Sequence, residues 1–262
     1  MRLIRPLHTD ARSGGIVIFF PHAGGSPRFF THLATAMPHR RVFGATYPGR
    51  DHLVDAAPIT DMASLAASIA HELATRFRAG HDDPLILVGH SLGAFVAYET
   101  AAVLSALPAP LRTVVVASGQ NPPLPRPFAH PDVPQTDGDI VADVIRQNPA
   151  SAPIWENPEL RAFFLPIVRA DYELLGSYSP SRSVIEQVKV VIADEDAEVD
   201  RSLMPQWQQV SDRRVEVVVV HGGHFYLDSP DLQLAEQLLQ IPALSNVQEG
   251  GRTDDRAART SR

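Results

Sequence analysis

The feature that most constrains the fold is a short apolar run that leads into a Gly-x-Ser-x-Gly pentapeptide and then into a helix-forming stretch. The whole pattern occupies residues 84–102, with the pentapeptide at 89–93. In a strand-to-helix elbow of this kind, a strained turn lifts the serine hydroxyl clear of the backbone. Gly89 and Gly93 fit because side chains there would collide with the neighbouring strand and helix. Ser91 is therefore a candidate nucleophile, and the alternative is an ordinary serine that caps a helix.

Similar apolar runs recur along the chain, with helix-compatible stretches between them. They lie at residues 16–20, 42–47, 85–88, 113–117, 188–192 and 215–220. Near-continuous apolar runs that alternate with helices are typical of a mostly parallel sheet with helices on both faces. One covering helix is predicted over residues 60–78, where apolar side chains recur every fourth residue from Leu65 to Phe77. The pattern predicts an α/β fold in one domain, residues 1–245.

The regular spacing breaks once, between Ala117 and Val188. About seventy residues separate these positions, whereas a simple crossover needs a dozen or more. Residues 138–146 and 158–175 have helical patterns within this segment. Because ligands bind at the carboxyl edge of open α/β sheets, we expect a helical lid there, over about residues 121–185. The alternative is a packing insertion with no gating role.

Composition narrows the possible classes of protein. The chain has no cysteine, which excludes disulfides and thiol nucleophiles and fits a cytoplasmic location. Its formal charge of −7 argues against nucleic-acid binding, and no apolar stretch approaches the length of a membrane span. We expect no metal and no cofactor. Residues 246–262 lack an apolar periodicity, which predicts a disordered tail.

A nucleophilic serine needs a base, which in the chain order Ser, Asp, His must follow Ser91. Three histidines do so: His130 near the start of the insertion, and His221 and His224 just after the last apolar run. Two flexible glycines separate His224 from that run, so it is better placed than His221 to reach the serine. The alternative for these two histidines is a metal site.

The acid that orients the base is expected after the strand at 188–192. Four carboxylates are candidates there: Asp194, Glu195, Asp196 and Glu198. Asp200 is a further option, although its position suggests the cap of the next helix. The residues alone leave this choice open.

Backbone N–H groups must also stabilise the oxyanion. Leu92, the residue after the nucleophile, supplies one of them. The second is expected from residues 20–26, the loop after the first apolar run, whose glycines let the main chain approach a substrate closely. The glycine pair could also form a plain turn. His22 in this loop precedes Ser91, which is the wrong order for the base of this fold.

Five segments together resemble the type II thioesterases that accompany modular polyketide synthases and nonribosomal peptide synthetases. They are Phe20-Pro-His-Ala-Gly-Gly-Ser26, Tyr47-Pro-Gly-Arg50, Gly89-His-Ser-Leu-Gly93, Leu165-Pro-Ile-Val-Arg-Ala-Asp-Tyr172 and Gly222-Gly-His-Phe225. The resemblance covers roughly residues 14–240. It implies an α/β-hydrolase fold with a helical lid. It also implies an enzyme that removes stalled acyl groups from the phosphopantetheine arm of an acyl or peptidyl carrier protein.

The resemblance also implies roles for individual residues. Ser91 matches the nucleophile, Asp196 the acid and His224 the base, while Ala23 and Leu92 match the oxyanion donors. Product-releasing thioesterase domains usually carry the acid one strand earlier, where this chain reads Ala-Ser-Gly at 117–119. The acid loop departs from the common Gly-x-x-Asp-Pro pattern, because alanines replace the glycine and the proline.

Other functions remain open at this stage. The same triad could serve a carboxylesterase or an acyltransferase, and the fold could be a catalytically silent binding module. Because the chain begins near its first strand and ends in a short tail, we expect a stand-alone enzyme. The candidate lid residues are Arg126, Arg161 and Arg169 for docking of the carrier protein, and Phe163, Phe164 and Tyr172 for the acyl channel, or else for the lid's own core.

Overall fold

The protein forms a seven-stranded sheet in a computed structural model. The structure describes residues 1–8, 15–77, 84–125, 134, 136–228, 234, 237 and 238. In chain order the strands are β1 (Ile4–His8), β2 (Ile16–Phe20), β3 (Arg41–Ala45), β4 (Leu85–His90), β5 (Thr113–Ser118), β6 (Gln187–Ala193) and β7 (Glu216–Val220). Across the sheet the order is β1-β3-β2-β4-β5-β6-β7. All neighbouring strands are parallel except β1 and β3, which confirms the predicted mostly parallel sheet.

The central strands are buried on both faces, as their apolar runs predict. Every residue of β2, β4, β5 and β6 is buried. Strand β7 lies at one edge and keeps Val217 and Val219 partly exposed. Strand β1 forms the opposite edge and was not predicted from the sequence. Ile4 is its one buried residue, and it contains Pro6, which an edge strand tolerates.

Helices cover both faces of the sheet. On one face lie α2 (Met62–Phe77) and α3 (Leu92–Ser105), which share the main apolar core. On the other face, α1 (Thr31–Thr35) packs in a second core that includes Tyr226 and Leu227. Asp61 caps α2 by accepting the Ser64 N–H at 2.8 Å, so the predicted helix begins close to where its pattern starts.

The long segment between β5 and β6 is helical, which agrees with the predicted lid. It contains α4 (Asp137–Gln147), α5 (Ala152–Glu156) and α6 (Pro158–Ser177). The short α5 was not predicted. Proline at the first position of α6 and the Asn157 cap define its start, and α6 continues through Pro166. Apolar residues of the three helices form their own small core around Trp155 and Tyr172.

Two further points concern the chain as a whole. Within the described residues, no helix is both long and apolar enough to cross a membrane. The predicted tail at 246–262, His130 and Arg126 lie outside the described residues.

Candidate active site

The Gly-x-Ser-x-Gly segment forms the predicted elbow between β4 and α3. Ser91 has φ 52° and ψ −123°, a conformation that non-glycine residues rarely adopt. Its side chain makes no capping hydrogen bond to α3. The geometry is therefore that of an elbow serine, half-buried, and differs from that of an ordinary capping serine.

The two glycines of the pentapeptide are required by close backbone contacts. A Cβ at Gly89 would lie 2.1 Å from the carbonyl oxygen of Gly93, and a Cβ at Gly93 would lie 2.0 Å from that of Phe20. Both distances are far below van der Waals contact. The elbow can therefore press against β2 and α3 only if both positions lack a side chain.

His224 and Asp196 come together in the interior. The His224 Nδ1 atom lies 2.9 Å from Asp196 Oδ2 and 3.1 Å from Oδ1. Their side chains are 5% and 0% exposed. Asp196 Oδ1 also accepts the Glu198 N–H at 2.9 Å, which fixes the carboxylate. An acid held in this way keeps the imidazole in one tautomer and one orientation.

The other candidate acids have different partners. Asp194 pairs with His221 on the surface, where its oxygens lie 3.1 Å from the His221 Nδ1 and 2.9 Å from the Gly222 amide nitrogen. Asp200 caps the 3₁₀ helix Arg201–Val210, as its position suggested. The Glu198 side chain forms an ion pair with Arg146 of α4, and Glu195 is exposed. His221 and His224 therefore face different carboxylates.

Residues 21–25, which we call the oxyanion loop, lie between β2 and a short 3₁₀ helix. Among the described residues, the structure gives no acceptor for the N–H groups of Ala23 and Leu92. The neighbouring Gly24 N–H is occupied, because it donates to Asp171 Oδ2 at 2.7 Å. Ala23 and Leu92, the two residues suggested by the resemblance, therefore keep free donors near Ser91.

A cavity of about 180 Å³ connects the serine to the lid. Ser91, Phe225 and residues 22–24 line its floor, and lid residues line the rest: Val144, Gln147, Asn148, Ser151, Ile154, Trp155, Phe164, Val168 and Tyr172. Phe164 and Tyr172 thus lie on the cavity as expected for channel residues. Phe163 does not line it and is 52% exposed.

Two further histidines lie beside the site and are kept neutral. Burial, with His224 and Arg50 nearby, lowers the pKa of His22 to about 3. Burial also lowers the pKa of His90 well below its usual value. His90 Nδ1 lies 2.9 Å from Ser118 Oγ, which is 2.6 Å from the Tyr226 hydroxyl. His22 was set aside for its chain order, and the structure places it on the cavity floor.

One buried pair at the site, Arg50 with Asp171, was not predicted from the sequence. The Arg50 guanidinium donates to both Asp171 oxygens, at 2.8 and 2.6 Å. Both residues belong to segments that resemble the thioesterases, but they are 121 positions apart. Of the predicted docking arginines, Arg169 pairs with Asp137 of α4, while the structure gives Arg161 no ion pair among the described residues.

The parallel sheet, the elbow serine, the buried histidine–aspartate pair and the helical lid define an α/β-hydrolase. Residues 15–241 match the thioesterase domain family model. The chain belongs to the thioesterase domain family.

Individual relatives agree with this assignment. The chain is 29% identical over 227 residues to phenyloxazoline synthase MbtB of Mycobacterium tuberculosis, a match that covers 84% of the chain and 15% of MbtB. It is 26% identical to the probable anguibactin biosynthesis thioesterase AngT of Vibrio anguillarum, covering 83% of the chain and 88% of AngT.

A solved structure gives the same result. YbtT, a type II thioesterase from the yersiniabactin pathway, superposes with a TM-score of 0.78 and 28% identity. The superposition covers 90% of the chain and 96% of YbtT. The match thus spans nearly all of a type II thioesterase but only a small part of the large synthase MbtB.

Proposed function

We propose that the chain hydrolyses acyl thioesters on the phosphopantetheine arm of a carrier protein, with Ser91 as nucleophile, His224 as base and Asp196 as acid. The observation that carries this proposal is the buried His224–Asp196 pair, whose imidazole ring lies 5.0 Å from the ring of His90, the residue before the elbow serine. Ala23, whose N–H has no acceptor among the described residues, lines the lid cavity together with Ser91. AngT and YbtT, which the chain matches over most of their length, are named as biosynthetic thioesterases.

The geometry accounts for the steps of the reaction. Asp196 holds His224 through Nδ1, which leaves Nε2 to accept the Ser91 proton as Oγ attacks the thioester carbon. The Ala23 and Leu92 N–H groups stabilise the oxyanion. As the C–S bond breaks, His224 gives this proton to the sulfur of the pantetheine arm, which leaves as a thiol, and Ser91 keeps the acyl group as an ester. Water then attacks the acyl-serine and gives a proton to His224, which returns it to Ser91 Oγ as the acyl–Oγ bond breaks and the carboxylic acid departs.

The position of the acid supports an editing role over product release. Asp196 follows β6, and the segment after β5, where the product-releasing domains carry their acid, has no carboxylate at 117–119. The small cavity also favours short acyl groups over a completed product. We propose an editing enzyme in the cytoplasm.

The carrier protein is proposed to dock on the outer face of the lid. Leu160 and Phe163 of α6 expose 41% and 52% of their surface, beside Arg161. Ile154 lines the cavity and is 36% exposed, so it marks an opening to solvent close to this face. Apolar contacts and a local cation suit an acidic partner, because long-range attraction cannot drive an acidic protein onto this acidic chain.

A comparison of leaving groups tests the proposal. The same short acyl group is presented on a carrier protein, on free pantetheine and on a simple oxygen ester, with the Ser91→Ala protein as a blank. We expect kcat/KM on the carrier protein to exceed that on the oxygen ester by about 10²-fold, because remote binding energy is used in the transition state. Equal or faster turnover of the oxygen ester would favour a carboxylesterase. Failure of a fluorophosphonate probe to label Ser91 would favour a silent binding module.

A further inference from the structure

Three side chains from two other parts of the chain hold the backbone of the oxyanion loop. The Tyr47 hydroxyl donates to the Pro21 carbonyl oxygen at 3.1 Å. Arg50 Nη1 donates to the Gly25 carbonyl oxygen at 3.0 Å, and Gly24 N–H donates to Asp171 Oδ2 at 2.7 Å. Within the loop, the Gly25 N–H donates to the His22 carbonyl oxygen at 2.9 Å, and the three side chains hold this turn from outside.

Arg50 and Asp171 form one rigid unit within this set. The same Arg50 nitrogen binds Gly25 and Asp171, and the same Asp171 oxygen accepts from Arg50 and Gly24. Both side chains are only 5% exposed, so the planar guanidinium and carboxylate are fixed in a bidentate geometry. A buried ion pair adds little net stability by itself, because desolvation offsets the attraction. The effect of the pair therefore lies in the backbone of Gly24 and Gly25, which it binds.

The lid helix α6, which carries Asp171, also touches the loop directly. A Cβ at Gly24 would lie 2.7 Å from Val168 Cγ2, and Gly24 has φ 72°, where L residues are strained. One turn of α6 thus supplies both a packing surface for Gly24 and an acceptor for its N–H. A displacement of α6 would break the hydrogen bond and the packing together.

From these contacts we propose that Arg50 and Asp171 are positioning residues that fix the oxyanion loop with its Ala23 N–H free, and that make this geometry depend on the seating of α6. By occupying the Gly24 N–H and the Gly25 carbonyl, the pair sets the direction of the adjacent Ala23 peptide. This proposal rests on the proposed function, because it assigns Ala23 as an oxyanion donor. Its consequence is that the lid and the oxyanion site are coupled: a lid lifted from the loop leaves the Leu92 N–H in place but no longer fixes the Ala23 N–H.

The test uses the full chain and a double variant, Arg50→Met with Asp171→Leu. This variant leaves no unpaired buried charge but removes both partners of the loop. We expect kcat to fall by about 10²-fold with little change in KM, as for the loss of one oxyanion donor. Affinity for a boronate inhibitor, which forms a tetrahedral adduct on the serine, should fall by a similar factor. All rates are normalised by active-site titration.

Two other variants separate positioning from stability. Glu99→Gln is the matched control, since Glu99 is a buried carboxylate that binds Tyr178 and the Ser181 N–H away from the loop. It should lower the melting temperature without changing kcat or boronate affinity. Arg50→Lys keeps the buried charge and serves if the double variant does not fold. A single ammonium cannot bind Asp171 and the Gly25 carbonyl together, so we expect kcat and boronate affinity each to fall about tenfold.

The outcomes are distinct. Parallel losses in kcat and boronate affinity support the positioning role. The positioning role is overturned if the double variant or the Arg50→Lys protein folds and keeps kcat and boronate affinity within about twofold of wild type. A wild-type protein that binds the boronate but does not hydrolyse carrier thioesters would contradict the proposed function alone, because boronate affinity measures the oxyanion site without that substrate.

Discussion

Two histidine–aspartate pairs lie at the carboxyl ends of β6 and β7, and they share their residue types and nearly their distances. His224 lies 2.9 Å from Asp196, and His221 lies 3.1 Å from Asp194. The side chains of the first pair are at most 5% exposed, whereas those of the second are 83% and 42% exposed. Two residues along the acid loop and three along the histidine loop separate a buried pair from a surface pair.

The difference shows that burial is what lets the carboxylate of such a pair fix the orientation of the imidazole. In the exposed pair, a hydrogen bond to Asp194 raises the pKa of His221, and the Gly222 N–H, followed by His221, lowers the pKa of Asp194. Solvent screens this attraction, so the pair contributes little to stability or function. In the buried pair, the His224 ring lies 5.0 Å from the ring of His90, the residue before Ser91, and the fixed carboxylate can orient the imidazole without competition from water.

The sharpest test of this comparison replaces each histidine by alanine. His224→Ala should lower kcat for an acyl thioester by about 10⁴- to 10⁶-fold, because triad members act as a unit. Ser91→Ala should be equally damaging. His221→Ala serves as the surface control and should keep kcat near wild type. Melting curves would verify that all three proteins fold, and near-normal turnover by His224→Ala would remove this histidine from the mechanism.

The same comparison applies to the acids. Asp196→Asn should lower kcat by about 10⁴-fold, since the imidazole loses its tautomer control and the stabilisation of its charged form. Asp194→Asn and Asp200→Asn should have little effect on kcat. The measurement is steady-state turnover of one thioester by the three variants side by side. A larger loss in Asp194→Asn would mean that the surface pair, and not the buried one, orients the base.

The sequence predicted the parts of the molecule that local patterns encode. The buried strands, α2 and the elbow follow from apolar runs, periodicity and glycine positions. Strand β1 was missed because an edge strand needs only one buried face and tolerates Pro6. The choice between Asp194 and Asp196 had no local signal. It depends on pairing between loops, where the Asp194 and Glu195 N–H groups donate to the Val220 and Gly222 carbonyls.

Long-range partners were beyond local patterns for the same reason. Arg50 and Asp171 both belong to segments that resemble the thioesterases, but nothing in a single sequence links two charged residues 121 positions apart. Only the fold brings α6 onto the loop after β2. The place of His22 was also beyond local patterns. Chain order excluded it as the base, but only the fold places it on the cavity floor.

Acid conditions should separate the buried histidines from the exposed one. His22 has a pKa of about 3 in the folded protein against 6.5 when unfolded, so between these values the unfolded state binds the extra proton. His22 therefore lowers stability progressively as the pH falls through this window. We expect His22→Gln to flatten the decline in melting temperature between pH 7 and pH 4.5, in part only, because burial acts on His90 in the same direction. An unchanged slope would contradict a neutral His22.

The smallest effect is expected from the surface pair. Because its pKa is raised on folding, His221 stabilises the folded state below pH 6.5, its unfolded-state pKa, and this stabilisation is lost as the pH rises through the folded-state pKa. Because its pKa is lowered on folding, Asp194 stabilises the folded state above pH 3.8, its unfolded-state pKa, and this stabilisation is lost as the pH falls through the folded-state pKa. The pair thus stabilises most between these two limits. His221→Gln should melt slightly below wild type at pH 5 in low salt, and the gap should close at pH 8.5 and in about 1 M salt, where screening is strong. A gap that persists at pH 8.5 would show that His221 stabilises the fold by packing rather than by charge, which would weaken the contrast between the two pairs.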